Sequence, residues 1–248
     1  MSIRRKTSSS RFSVSDFVMV NTNSRKPSLN QSRARIARSG EHLESLDDAI
    51  NLLADGWKHQ EILQTSTLDV DVPAIVPILV GEVAYNLKSA LDYLAHELFY
   101  LANGRRSNST KFPTERVKES WDKYLHAAKP KDAKKLWLPK LRPKHQAMIQ
   151  ALQPFDSGPQ WPSLLADITN GDKHRYLTVT VGKLSSAPRE VPAVFTKAIA
   201  GVFPEEMFVH RQITATATFE DGTLVVQTLQ NLQRQVTDVV DAFDPDFT

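Results

Sequence analysis

The chain has no cysteine. That excludes a disulfide framework, a thiolate nucleophile and a sulfur-ligated zinc site, so any metal would need His, Asp and Glu ligands. Glycine is scarce as well, with nine in 248 residues and no two close enough to form a phosphate-cradling loop. The P-loop and the dinucleotide-binding fingerprint are therefore excluded. A G-x-S-x-G elbow is absent, and His96-Glu97 lacks the second histidine of a zinc-protease helix. Long hydrophobic runs are missing too: the best, Ala74 to Val80, is interrupted by Pro77 and is far too short for a bilayer. Phe17 to Val20, which follows a basic N-terminus, is too short to be the apolar core of a signal peptide. The expectation is a soluble, cytoplasmic protein with no membrane segment and no identifiable cofactor.

What is present is an ordinary hydrophobic content of 41%, enough for one substantial core. The net charge of +3 conceals two basic tracts. Residues 1–38 carry nine Lys or Arg against Asp16, and residues 129–144 carry seven against Asp132. The rest is acidic. Such polarisation attracts nucleic acid or an acidic partner surface, or it reflects a solvated tail. The Ser- and Asn-rich residues 1–31 read as a basic flexible arm, and 32–248 as a single domain. In the second tract Trp137 is either a base-stacking residue among lysines or, with Leu136, Leu138 and Leu141, a core anchor.

Apolar periodicity predicts an α+β, mainly α fold: a helical bundle with a small antiparallel sheet in its C-terminal part. Helices are expected at Ser32 to Ala54, stopped by Gly56; from Pro73–Pro77 to Ala102; at Thr114 to Ala128 with Thr114 as cap; at Lys144 to Leu152; and at Pro162 to Asn170. His59 to Val72 reads as extended. Leu177 to Val181 alternates as a strand. Phe208 to Phe219, turned by Asp221-Gly222 into Leu224 to Thr228, reads as a hairpin within about 177–229, before a terminal helix at Leu229 to Phe243.

Two polar clusters interrupt this apolar pattern. The first, on the central helix, holds Asn86, Lys88, Ser89, Asp92, Tyr93 and His96. Tyr85, Ser89, Asp92 and His96 are spaced four, three and four, which stacks them on one face and lets Asp92 orient His96 for base catalysis or metal binding. The same spacing also fits an ordinary i,i+4 pair. The second cluster, Asn170, Asp172, Lys173, His174 and Arg175, comes after a helix that Asn170-Gly171 could cap in left-handed conformation. If the clusters meet, Asp92, His96, Asp172 and His174 form a candidate catalytic set, ringed by Asn86, Lys88, Tyr93, Asn170, Lys173 and Arg175 as binding residues.

These motifs carry a resemblance. Asn86-Leu-Lys-Ser-Ala-Leu-Asp-Tyr-Leu-Ala95, Phe112-Pro113, Leu152-Gln-Pro-Phe155 and Asn170-Gly-Asp-Lys-His-Arg175 together resemble a family of uncharacterised bacterial proteins with an N-L-[RK]-S-A-L-D-[HY] helix and an N-x-D-K-H-R turn in the same order. The likeness spans roughly residues 33–181 and implies no activity. A second resemblance is to HEPN domains, helical bundles that often cleave RNA as dimers, whose Arg and His five positions later correspond to Lys88 and Tyr93 here. It implies RNA as partner, a homodimer, and a degenerate nuclease site, since tyrosine is a poor base near neutral pH, unless His96 or His174 substitutes. Two other readings remain open: a metal-dependent hydrolase using Asp92, His96, Asp172 and His174, and a non-enzymatic interaction module whose polar residues form a buried network.

Overall fold

The computed structural model describes residues 26–57, 67–126, 136–155, 158–171, 178–184 and 212–248. The fold is mainly helical. Its elements run α1 (Asn30–Trp57), β1 (Thr67–Val70), α2 (Ile75–Asn103), α3 (Lys118–Leu125), α4 (Pro143–Ala151), α5 (Trp161–Gly171), β2 (Thr178–Leu184), β3 (Gln212–Thr218) and α6 (Val225–Phe243), with 3-10 turns at Leu138–Lys140 and Asp244–Asp246.

Helix α2 forms the axis of the core because it is apolar on most of its circumference. Val76, Val83, Leu87, Leu91, Leu94 and Leu98 are completely buried along it. Each such side chain contributes roughly 2 kcal/mol through burial. Helices α1, α5 and α6 all pack on α2, and α6 also lies along α1. Gln233 of α6 donates to the Ile36 carbonyl (3.2 Å) and to Ser39 Oγ (3.3 Å), fixing that second contact. Gly104 ends α2 in left-handed conformation, with φ 65° and its N–H on the Tyr100 carbonyl. Glycine is the residue that adopts this geometry at little cost.

The three strands form one antiparallel sheet in the order β1-β2-β3, with Leu68 opposite Val181 and Thr180 opposite Thr216. Strand β3 packs on α1, and Ala217 and, just past the strand, Phe219 enter the core. Here the expected hairpin needs correction. The Asp221-Gly222 turn forms, with Gly222 at φ 80° and the Asp221 carboxylate accepting from Thr223 N (3.0 Å). Beyond this turn, however, the chain is helical. Only one bridge, Thr218 to Leu224, continues the pairing, and α6 begins at Val225. Val225, Leu229, Leu232 and Val236 stay in helical phase and are all buried, so a continuous apolar stripe outweighs the short alternation at 224–228.

Helix α3 is shorter than its pattern predicts. Thr114 does not cap it, for α3 opens at Lys118 after an extended Val117. The preceding segment is held extended from outside, since Glu115 N donates to Gln153 Oε1 (2.9 Å) and Phe112 is clamped by α2. Helix α1 runs through Gly56 to Trp57, beyond the expected stop. At the other end of the chain, Asp246 takes Lys144 Nζ at 2.9 Å and lies 3.3 Å from Nε2 of the fully buried His145, fastening the C-terminal turn to α4.

Candidate functional site

The polar residues of α2 face the start of α1 and the loop that leaves α2. Between these three elements is a cavity of about 250 Å³. Ser89, Asp92, Tyr93, His96, Glu97 and Arg106 line it, together with Ser28, Gln31 and Thr110. The spacing of Ser89, Tyr93 and His96 puts all three on the face that α1 leaves uncovered at its first turn. Tyr85, expected on the same face, is instead an exposed residue away from the cavity.

Most charged groups of this cluster are engaged in holding the fold. Lys88 Nζ donates to the Phe112 carbonyl (2.8 Å) and to Asp92 Oδ1 (3.1 Å). The same Asp92 oxygen accepts the Phe112 N–H at 2.8 Å. Both backbone groups of buried Phe112 are thus satisfied by one i,i+4 ion pair. The expected orientation of His96 by Asp92 gives way to this latch, because Phe112 offers the carboxylate a closer, fixed donor. His96 turns to Thr110, with Nδ1 3.3 Å from its hydroxyl.

Asn86, buried, donates to the Glu82 carbonyl (2.8 Å) and accepts from Arg35 Nη1 (3.2 Å). The Arg35 guanidinium lies 5.8 Å from the Tyr93 ring centroid. Glu97 is buried and accepts from Ser28 N (3.0 Å) and Arg106 Nη1 (2.9 Å). Arg106 also sits over the Tyr100 ring at 4.7 Å. These bonds tie the residues before α1 and the loop after α2 to one turn of α2. Ser89, Tyr93 and His96 line the cavity, and the Ser89 hydroxyl, the Tyr93 phenol and His96 Nε2 have no hydrogen-bond partner among the described residues.

Glu97 and Arg106 belong to the site although neither polar cluster of the sequence includes them. Glu97 carries a signal, being the next helical step after Tyr93 and directly following His96 on a core helix. Arg106, ten residues beyond His96 in a loop, carries none.

Of the second cluster, Asn170 is exposed in the last turn of α5, which runs on through Gly171, so a left-handed cap at Asn170 does not form. Asp172, Lys173, His174 and Arg175 lie outside the described residues, and with them the meeting of the two clusters. The basic residues 1–25 and the lysines at 129–135 do as well. Trp137 is buried with Leu138 and Leu141, which makes it a core anchor. Among the described residues no three His, Asp or Glu side chains are grouped to hold a metal, and no helix is long and apolar enough to cross a membrane. Comparison with protein-family models, with curated proteins and with solved structures finds no match to this chain.

Proposed function

We propose that the protein is a HEPN-like RNA-binding module that holds a nucleoside unit of single-stranded RNA in the His96 pocket and does not cleave it. The observation that carries this reading is the division of labour inside the first cluster. Its ion pairs are consumed by the fold, while an imidazole nitrogen, a phenol and a hydroxyl converge on a cavity of about 250 Å³. That volume is small for a typical ligand site and suits one base or ribose. Unpaired RNA bases are recognised by such hydrogen-bonding edges beside an aromatic ring.

Cleavage lacks support in the same residues. Asp92, the carboxylate expected to orient His96 as a base, is turned to Phe112, and His96 Nδ1 meets the Thr110 hydroxyl instead. Lys88, the residue expected at a phosphate, has its ammonium on a carbonyl and a carboxylate. The metal-hydrolase reading would have to share Asp92 with this latch, which engages its Oδ1. The network reading gains in one respect: Asn86, Lys88, Asp92 and Glu97 act as structural ties whatever the pocket binds.

The test is fluorescence anisotropy with a labelled single-stranded oligoribonucleotide across a salt series, with gel analysis of the recovered RNA. Wild type is expected to bind with affinity that falls as salt rises. A folded Ser89→Ala, His96→Ala variant should bind about tenfold more weakly, as two lost hydrogen bonds imply. The RNA should be recovered intact. Equal binding by wild type and variant, or accumulating fragments, would overturn the reading.

A further inference from the structure

Arg106 also lines a second cavity, of about 230 Å³, which shares no other residue with the His96 pocket. One wall is the loop after α2, with Arg105, Ser107 and Ser109. The other is the 3-10 turn of the lysine tract, with Lys140, and Phe99 and Trp137 supply apolar surface. We infer that this cleft binds a phosphate monoester, the terminal phosphate of a nucleotide or of an RNA strand.

The charge points to an anion. Arg105 and Arg106 line the cleft, and among the described residues no carboxylate lines it. Glu97 reaches Arg106 from the neighbouring pocket and engages only Nη1, which leaves the Nε–Nη2 edge, the edge with which arginine grips a phosphate side-on. Nε of Arg106 is a buried donor without an acceptor, a group that a water, an ion or a ligand oxygen would satisfy. Arg105 is exposed and makes no hydrogen bond or ion pair with any described residue. The hydroxyls of Ser107 and Ser109 are hydrogen-bonded to each other at 3.0 Å, which leaves one hydroxyl proton as a neutral donor.

Both walls are built in place. Asn103, in the last turn of α2, donates to the Phe99 carbonyl (2.9 Å) and to the Lys140 carbonyl (3.2 Å), so one amide joins the helix end to the 3-10 turn. The left-handed turn at Gly104 then reverses the chain and brings Arg105 and Arg106 to the mouth. A concave site takes a terminal phosphate more readily than a continuous strand. Because Arg106 is common to both cavities, a nucleotide seated in the His96 pocket would have its phosphate directed here. The inference rests on the RNA reading only for the source of the phosphate.

The experiment compares three probes on the full chain: adenosine monophosphate, a 5′-phosphorylated oligoribonucleotide, and the same oligonucleotide with a 5′-hydroxyl. The proteins are wild type, Arg105→Ala, and Lys123→Ala, which removes an exposed charge of α3 that does not line the cleft. Circular dichroism checks folding. The phosphorylated strand should bind wild type and Lys123→Ala roughly tenfold more tightly than the hydroxyl strand, and the difference should vanish in Arg105→Ala. Equal affinity for both strands in wild type, or a phosphate preference that survives in Arg105→Ala, would overturn the phosphate site while leaving the RNA reading standing. Binding of the monophosphate alone, abolished in Arg105→Ala, would sustain the phosphate site and sink the RNA reading.

Discussion

Replacing Lys88 by Met tests whether this lysine is a structural latch or a phosphate ligand. The methionine preserves the apolar stem and removes the ammonium. The Phe112 carbonyl, on a residue only 2% exposed, then loses its charged donor at 2.8 Å. A hydrogen bond from a charged group to a protected carbonyl is worth about 1.5–3 kcal/mol. The Asp92 ion pair adds little: its side chains are 21% and 35% exposed, and a pair of that kind contributes about 0.3–0.5 kcal/mol. The expected cost is therefore about 2 kcal/mol, or a drop of about 0.5–1 M in the urea midpoint for a chain of this size. Asp92→Asn keeps an acceptor for Phe112 N–H and should cost about half as much. Neither change should alter RNA affinity in the folded state. A Lys88→Met protein as stable as wild type but defective in RNA binding would refute the latch and restore Lys88 to the phosphate.

Gly104→Ala meets no atom within 4 Å, so its effect isolates the left-handed backbone; a loss of about 1 kcal/mol in urea denaturation is expected, and a neutral result would contradict the φ of 65°. Leu229→Ala, at a fully buried position of α6, should cost about 3 kcal/mol, whereas Leu52→Ala, 67% exposed, should stay within about 0.5 kcal/mol. Acid should loosen the C-terminal clasp. Burial holds His145 below its ordinary 6.5, so the unfolded chain takes up the proton first and stability falls as pH drops below that value. The Lys144 ammonium, and after it His145, hold the Asp246 carboxyl below 3.8, and that contribution is lost only as pH falls through the lowered value. The urea midpoint should therefore decline as pH falls through about 6.5, and His145→Leu should flatten the decline; parallel profiles would contradict the assignment.

The helical class was legible because α2 and α6 carry apolar residues at steps of three and four over many turns, and that periodicity is local information. The polar cluster on α2 was legible for the same reason: six polar side chains on a core helix need partners. What those partners are was not. Asp92 lies four residues from both Lys88 and His96, and sequence spacing allows either pairing. The choice is made by Phe112, whose backbone reaches α2 only because the loop after Gly104 folds back. The same holds for residues 224–228, where alternation suggested a strand until buried contacts with α2 and α1 extended the helix.

The sequence by itself determined the absence of thiol chemistry and nucleotide-loop motifs, the mainly helical class, and the helix on which polar groups gather, since each depends on composition or on periodicity within one segment. Only the tertiary structure decided that Lys88 and Asp92 serve the backbone of Phe112, that Glu97 and Arg106 belong to the site, and that one arginine joins two cavities. Those facts depend on which distant segments are brought within about 3 Å of each other, and hydrogen bonding at that range is set by packing rather than by order along the chain.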